Sequence, residues 1–246
     1  VRDKICPDKI NTSRWLEVIS TAHKVGIKTT STIMFGHQES IDHWATHLLC
    51  LRDLQKKTGG ITEFIPLPYV SMESPMYKRG HARPGPTFRE VLLMHAIGRL
   101  SLHPLIKNIQ SSWVKLGQSG ALSCLNAGVN DMGGTLMNES ISKAAGSIHG
   151  QEFTPDRMES FILSANRIPL ETRSSGLAGI GAIPSPTDVV ELKAESLGTL
   201  TQKPFSPDLG NTLRYLVSNT YYSQEQIDDL LTASVATTPI LSLLTY

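Results

Sequence analysis

The sequence predicts an α/β fold: a parallel sheet with crossover helices that forms the carboxyl-terminal half of a TIM-type (β/α) barrel, followed by an irregular and helical tail. Segments with helical spacing alternate with short β-branched segments, and a glycine-rich polar loop runs over residues 125–142. The composition then changes after Gly150. Only four strand positions are found, so we expect the other strands of an eight-stranded barrel before Val1 and interpret the chain as a fragment.

The elements follow from apolar spacing, caps and stops. Helices are predicted over 10–25, 40–57, 88–102, near 118–125, and 154–166. Strands are predicted over 28–35, 61–67 and 106–114, with a fourth strand position at the glycine-rich loop. The proline-rich segment 66–86 is long for a simple connection and is typical of an active-site loop.

Composition excludes several classes of function. The chain has 246 residues, 40% of them hydrophobic, which is enough to bury a sizeable core. A net charge of +1 gives no reason to expect a nucleic-acid or membrane partner, and no apolar run is long enough to span a bilayer. Cys6, Cys50 and Cys124 are too far apart to suggest disulfides or a metal site in this chain. We therefore expect a reducing compartment, with the cytoplasm favoured.

Three parts of the chain are predicted. Residues 1–175 would be the barrel part, and 176–207 form a linker rich in glycine, serine and proline. Residues 208–246 would be a short helical tail, because Ser223 and Gln226 fit a capping box before an apolar face. No chemistry is predicted for the tail.

Three strings carry a family resemblance: ICPDKINTSRWLEVISTAHKVGIKTTSTIMFGHQES, TGGITEFIPLPY and GVNDMGGTLMNESIS. Together they resemble the carboxyl-terminal half of the radical SAM enzymes that make the deazaflavin FO, a precursor of coenzyme F420. More narrowly, they are similar to the 4-hydroxyphenyl transferase half of FO synthase. The resemblance covers residues 1–175. A looser barrel pattern is shared with biotin synthase and with the futalosine-pathway enzymes of menaquinone synthesis.

The resemblance implies a transferase that joins a tyrosine-derived 4-hydroxybenzyl group to 5-amino-6-(D-ribitylamino)uracil. It implies two cofactors, S-adenosyl-L-methionine (SAM) and a [4Fe-4S] cluster held by a C-x-x-x-C-x-x-C loop. This chain contains no such loop, so we expect the cluster ligands in the missing barrel half and expect the fragment alone to be inactive. That missing half, and the companion FO-forming radical SAM domain, are the expected protein partners.

The loop after residue 125 provides the strongest site hypothesis. Gly128, Gly133 and Gly134 surround Asn130 and Asp131, which are interpreted as following a barrel strand. Asn130 could read a polar ligand, and Asp131 could accept a hydrogen bond from an amine or a ribityl hydroxyl. The alternative is an Asx turn that only stabilises the loop.

The segment Gly36-His37-Gln38-Glu39 lies where radical SAM enzymes carry a G-x-I-x-G-x-x-E pattern beside SAM. Only Gly36 and Glu39 match, since Thr32 and Met34 replace the first glycine and the isoleucine. Gly36 would allow close approach of a ligand. Glu39 would bind a ligand or cap the next helix, two equally weighted roles. His37 is the favoured functional histidine because it lies at a strand end.

The remaining candidates come from strand alternation. Glu63 would point into the barrel towards a ligand, or outward into solvent. Ser111, Trp113 and Lys115 would share one face of the strand over 106–114. Trp113 could stack on a planar ring, although core packing is the favoured interpretation, and Lys115 could bind a carboxylate.

Two other functions stay open. The first is a radical SAM enzyme of the futalosine pathway, which would share the barrel but take a different substrate. The second is a non-catalytic barrel remnant or interaction module.

Overall fold

A computed structural model of the protein describes residues 1–136 and 138–170. The eight helices of these residues are α1 (Arg2–Ile5), α2 (Thr12–Lys24), α3 (Ile41–Thr58), α4 (Pro75–Lys78), α5 (Phe88–Leu102), α6 (Trp113–Leu125), α7 (Ser140–Ala144) and α8 (Pro155–Ser164). Their three strands are β1 (Thr29–Phe35), β2 (Ile61–Pro68) and β3 (Asn108–Ile109). The predicted linker over 176–207 and tail over 208–246 lie outside the described residues.

The strands form one parallel sheet in the order β1-β2-β3. Each parallel pair is joined by a helical crossover, as the alternation of segments predicts: α3 joins β1 to β2, and α5 lies between β2 and β3. A single parallel bridge between Gln110 and Asp131 adds a fourth segment to the sheet, on the outer side of β3. A mixed α/β fold with a small parallel sheet is therefore confirmed.

The long helices begin and end as the sequence predicts. Thr87 and Glu90 form a capping box at the start of α5, where the Thr87 hydroxyl accepts from the Glu90 amide and the Glu90 carboxylate accepts from the Thr87 amide. At the other end of a helix, Gly59 takes a left-handed conformation with φ +60° and ends α3. These local signals explain why the predicted helix bounds lie close to the observed ones.

The core lies on one side of the sheet. Phe35 of β1 packs edge-on against Trp44 of α3, with ring centroids 5.4 Å apart. Phe64 of β2 is fully buried against α5, where an added Cβ on Gly98 would lie 3.0 Å from its ring. Helices α3 and α5 therefore cover this face of the sheet. Within residues 1–136 and 138–170, no helix is long and apolar enough to cross a membrane.

The predicted strand over 106–114 is wrong in its second half. Only Asn108 and Ile109 form a strand, and Trp113 begins helix α6. A break follows at Gly117, whose φ of +69° and ψ of 178° are not helical. The predicted helix near 118–125 is thus the second part of α6. Helix α6 begins here because the carbonyl of Ser112 accepts from the amides of Lys115 and Leu116, so the strand does not continue to Val114.

Candidate functional site

The face of the sheet opposite the core is only partly covered. Thr30, Thr32 and Met34 of β1 lie on it and are exposed, and Met34 is 50% exposed. In register they pair with Glu63, Ile65 and Leu67 of β2, which are half-buried. We call this surface, formed by these six residues, the open face. Glu63 lies on the face of the sheet away from helices α3 and α5, and its predicted direction into a barrel stays a prediction.

Glu63 meets Asp131 on the open face. Register puts both side chains on the same side of the sheet, since Glu63 pairs with Asn108 and Asp131 pairs with Gln110, two positions further along. Burial, followed by the charge of Asp131, raises the pKa of Glu63 to about 8. Asp131 also accepts from the amide of Gly133 at 2.6 Å, so the predicted Asx turn is present as well. Glu63 is therefore a carboxyl group that resists ionisation beside another acidic side chain.

Asn130 is held by protein groups on both ends of its amide. Its Oδ1 accepts from Arg99 Nη2 at 2.7 Å and from the backbone amide of Ile109 at 2.9 Å. Its Nδ2 donates to Asn108 Oδ1 at 3.3 Å. The predicted ligand contact of Asn130 stays a prediction. What the geometry shows is an amide that completes the pairing of its segment with β3.

The loop after β1 is built around the carboxylate of Glu39. Its Oε1 accepts from the amide of Gly36 at 2.5 Å and from the indole of Trp44 at 3.1 Å, and Oε2 accepts from the amide of His37 at 2.9 Å. Burial opposes ionisation, but these donors outweigh it and lower the pKa of Glu39 to about 2. The predicted capping role is wrong, because Ser40 and His43 form the capping interaction of α3.

His37 is buried and 4% exposed. Its Nε2 lies 3.0 Å from the carbonyl of Met34, and its Nδ1 accepts from the amide of Gln38 at 2.6 Å. The ring also packs edge-on against Tyr69. Both ring nitrogens thus have partners inside the loop, and the predicted functional role of His37 stays a prediction.

The proline-rich segment closes over this loop. Gly36 has φ +95°, and an added Cβ would lie 2.2 Å from Pro86 Cδ. The close approach that a glycine allows is therefore made by Pro86. Arg83 joins the same contact: its backbone amide donates to the carbonyl of His37, and its guanidinium lies between Glu39 at 3.5 Å and Glu90 at 2.8 Å.

Ser111, Trp113 and Lys115 do not share a strand face, because Trp113 and Lys115 lie in α6. Trp113 is 5% exposed, packs edge-on against Phe153 at 5.0 Å and donates from Nε1 to the carbonyl of Gly134. The favoured core interpretation of Trp113 is therefore the one observed. Burial lowers the pKa of Lys115, whose ammonium donates to the hydroxyl of Ser142 at 2.8 Å. Ser111 is fully buried.

The nine predicted site residues therefore form separate groups. The loop at Gly36 follows Phe35, which pairs with Pro68, whereas Glu63 lies five positions earlier on β2. At strand geometry this is a separation of roughly 16 Å. Asp131 lies beside Gln110 just after β3, level with the middle of β2. Glu63, Ser111, Asn130 and Asp131 lie near β3, where the amide of Ser111 donates to the carbonyl of Asp131.

Sequence reasoning missed two arginines. Arg99 donates to Asn130, and Arg83 contacts His37 and Glu39. Arg99 had a visible signal, since it is the one charged residue in the apolar run from Val91 to Leu102. A cation in such a run usually has a specific partner. Arg83 had no comparable signal, because it lies in a polar loop.

The described cysteines do not fit a [4Fe-4S] cluster. Cys124 is buried, and burial raises the pKa of its thiol to about 12, whereas Cys6 and Cys50 are half-buried and unpaired. No group of three histidine, cysteine or acidic side chains in residues 1–136 and 138–170 could hold a metal ion. Cluster ligation needs several converging thiolates, which this part of the chain does not supply.

Fold and site together define an α/β domain with a parallel sheet and two acidic residues, Glu63 and Asp131, on the same side of that sheet. Residues 58–174 match the family described as the CofH/MqnC C-terminal region. The resemblance predicted from the sequence is thereby confirmed for this carboxyl-terminal region.

Individual relatives point to the same family. Over 175 residues, 71% of this chain and 49% of the relative, the chain is 45% identical to the 5-amino-6-(D-ribitylamino)uracil--L-tyrosine 4-hydroxyphenyl transferase of Methanococcus maripaludis. The corresponding transferase 1 of Methanosarcina mazei is 49% identical over 176 residues, 70% of this chain and 46% of the relative. The FO synthase of Mycobacterium leprae is 51% identical over 154 residues, 63% of this chain and 18% of the relative. The chain thus spans about half the length of the transferases.

Proposed function

We propose that this protein acts in FO biosynthesis and joins a tyrosine-derived 4-hydroxybenzyl group to 5-amino-6-(D-ribitylamino)uracil. The observation that carries the proposal is the 45–49% identity to transferases whose names state these two substrates. The family match covers residues 58–174, a range that includes Glu63 and Asp131. The whole protein would be the enzyme, and this chain its carboxyl-terminal region.

The finer fold that we propose is a radical SAM (β/α) barrel to which residues 1–175 contribute one part. Two features of the sheet support this. Strand β1 is at the edge of the described sheet, so its outer backbone groups are available to a further strand. The open face also carries Met34, Ile65 and Leu67 away from the core, as residues that face a barrel interior would be.

In this proposal the Glu63–Asp131 pair contacts the substrate. A protonated carboxyl group can donate and an ionised one can accept, so the pair can meet both kinds of group on a uracil or ribityl chain. Its place on the open face, next to exposed Thr30 and Thr32, keeps it accessible. A ligand that occupies this face would exclude water and strengthen these hydrogen bonds.

The proposed cofactors are SAM and a [4Fe-4S] cluster, which would supply radical chemistry when bound. The cluster ligands would lie outside the described residues. We propose a reducing compartment, with the cytoplasm favoured, as the location. The proposed protein partners are the remaining barrel part and the companion FO-forming domain.

The test is label transfer from tyrosine. The native polypeptide, reconstituted with iron, sulfide and SAM without oxygen, is given ring-labelled tyrosine and 5-amino-6-(D-ribitylamino)uracil. We expect a uracil product that carries the labelled 4-hydroxybenzyl group, detected by mass spectrometry. Turnover only of a futalosine-type substrate would replace the proposal by the menaquinone pathway, and absence of both products with a correctly folded protein would favour a non-catalytic remnant.

A matched pair of variants tests the role of the carboxylates. Glu63→Gln removes the Glu63 carboxyl group, and we expect kcat/KM for labelled product to fall at least about tenfold, the effect of losing one hydrogen bond to a charged group. Glu17→Gln changes a side chain that is 63% exposed and pairs only with Arg14 at the surface. We expect this control to stay within about twofold of the unmodified protein. Equal activity of both variants would exclude a role of Glu63 in substrate binding.

A further inference from the structure

We propose that Arg99 and Asn130 form a positioning pair that holds Asp131 on the same side of the sheet as Glu63, next to the open face. The proposal deepens the proposed function, on which it rests only for taking the open face as the ligand side. Neither residue needs to contact a substrate. Their part is to fix the segment that carries Asp131.

The first step is the reach of the Arg99 guanidinium. From α5 it donates from Nε to the carbonyl of Gly128, from Nη1 to the carbonyl of Lys107 and from Nη2 to Asn130 Oδ1, each at 2.7 Å. Lys107 directly precedes β3, and Gly128 and Asn130 are the first and last residues of the three-residue segment before Asp131. One planar cation thus ties a strand and a loop to the same helix.

Gly128 makes this geometry possible. Its φ is +94°, a conformation that side chains disfavour, and an added Cβ would lie 2.8 Å from Arg99 Cβ. The loop therefore passes directly over the stem of Arg99. A larger residue would push the loop away from α5 and would lengthen the hydrogen bond from Arg99 Nε.

The second step links Asn130 to the sheet. Asn130 Oδ1 accepts from the amide of Ile109, and the amides of Asn130 and Asp131 both donate to the carbonyl of Ile109. The amide of Ser111 then donates to the carbonyl of Asp131 at 2.9 Å. Since regular pairing is limited to a single bridge, the Asn130 side chain supplies a bond that a longer strand would have made with its backbone.

The third step is the consequence at Glu63. These bonds fix Asp131 beside Gln110, so that Asp131 and Glu63 lie on the same side of the sheet with β3 between them. Asp131 is the ionisable group whose charge acts on Glu63, while the neighbouring strands contribute Thr30 and Asn108 at the same register position. If the segment moved outward, the carboxylates would separate and Glu63 would ionise more readily.

The experiment follows the Glu63 carboxyl group by carbon-13 NMR in the full chain, as the pH is raised. Its resonance is assigned by its loss in Glu63→Gln. We expect a titration midpoint near the value of about 8 that burial and Asp131 give this pKa. In Arg99→Met we expect the midpoint to fall by at least about one pH unit, and in Arg99→Lys by less, because lysine keeps the charge and can make one of the three bonds.

Arg14→Met is the matched control, since Arg14 is 59% exposed and pairs with Glu17 at the surface. We expect it to leave the Glu63 midpoint unchanged. Asn130→Ala provides a second test that does not disturb α5, and it should lower the midpoint in the same direction as Arg99→Met. If Arg99→Met does not fold, the Asn130→Ala result decides alone.

A merely structural role would lower stability without moving the midpoint. An unchanged Glu63 midpoint in folded Arg99→Met or Asn130→Ala therefore overturns the proposal. Because the titration needs no substrate, its result is independent of label transfer from tyrosine. A shifted midpoint without any product would keep the positioning pair and reject the proposed reaction.

Discussion

Two carboxyl groups that are shielded from solvent, Glu39 in the loop after β1 and Glu63 in β2, have pKa values shifted in opposite directions. Burial raises the pKa of each, yet the pKa of Glu39 is about 2 and that of Glu63 is about 8. Glu39 faces backbone amides that favour its charge, whereas Glu63 faces Asp131, which opposes a second charge. The partners, rather than the depth, set the protonation. A carboxylate satisfied by its own loop has a structural role, and one held in conflict is available to a ligand.

The largest effect on stability is expected when one glycine in each region is replaced by alanine. Gly36→Ala would bring a Cβ to 2.2 Å from Pro86 at a φ of +95°, so the loop around Glu39 would have to open. We expect a loss of about 3–5 kcal/mol in the free energy of unfolding, from left-handed strain and overlap together. Urea denaturation at pH 7 measures it.

Gly134→Ala is the control for that substitution. Gly134 lies near Asp131, and an added Cβ would meet no atom within 4 Å. We expect a change of no more than about 0.5 kcal/mol. Equal losses for both variants would show that the loop around Glu39 is no more tightly built than the loop after Asp131.

The second test neutralises each carboxyl group. Glu39→Gln replaces an acceptor of several N–H donors by a group that brings its own N–H, so we expect a loss of about 2–3 kcal/mol at pH 7. Glu63→Gln replaces a carboxyl group that resists ionisation beside Asp131 by a neutral amide, and we expect it to be neutral or slightly stabilising. A destabilised Glu63→Gln would contradict the contrast.

The third test is pH. The folded-state pKa of Glu63 lies above the ordinary value of 4.5, so its contribution is complete below pH 4.5 and is lost as the pH rises through about 8. We expect unfolding free energy to fall by about 1–2 kcal/mol over this range, allowing for solvent at the open face. Glu39 has the opposite sign, since its contribution is complete above pH 4.5 and is lost as the pH falls towards 2.

Glu63→Gln serves as the control for the pH test. Without the titrating group, the decline between pH 4.5 and 8 should disappear, whereas the loss at low pH should remain. Stability curves at several pH values, fitted for both proteins, separate the two contributions. If the unfolding free energy of Glu63→Gln still declines over this range, a group other than Glu63 causes the decline.

The contrast also shows what the sequence can predict. Local signals suffice for elements whose stops and caps are close in the chain, as for Gly59 at the end of α3 or Thr87 at the start of α5. Glu63 and Asp131 are 68 positions apart in the chain, and their proximity depends on the register of their segments in the sheet. No local sequence pattern determines that register. Alternation also failed at Trp113, where a helix begins and the period changes.

Resemblance located the right segments without giving the roles of their side chains. The Gly36 and Glu39 positions matched a pattern associated with SAM. In the structure Pro86 fills the space beside Gly36, and the Glu39 carboxylate accepts from backbone amides. The amides that bind Glu39 are local, but Pro86 comes from the proline-rich segment 50 residues further on, so the sequence near Gly36 could not predict that contact. Whether a ligand also reaches this loop stays a prediction.

The smallest effect is expected at Arg83, which separates two explanations for the ionised Glu39. Its guanidinium is 35% exposed and lies 3.5 Å from Glu39, so solvent weakens the attraction. If backbone donors hold the charge, Arg83→Met should cost no more than about 1 kcal/mol at pH 7, and most of that through Glu90. Arg83→Met combined with Glu39→Gln should then cost nearly the sum of the two single changes. A strongly non-additive double mutant would instead make Arg83 the partner that keeps Glu39 ionised, and the contrast with Glu63 would rest on one nearby cation rather than on the shape of the loop.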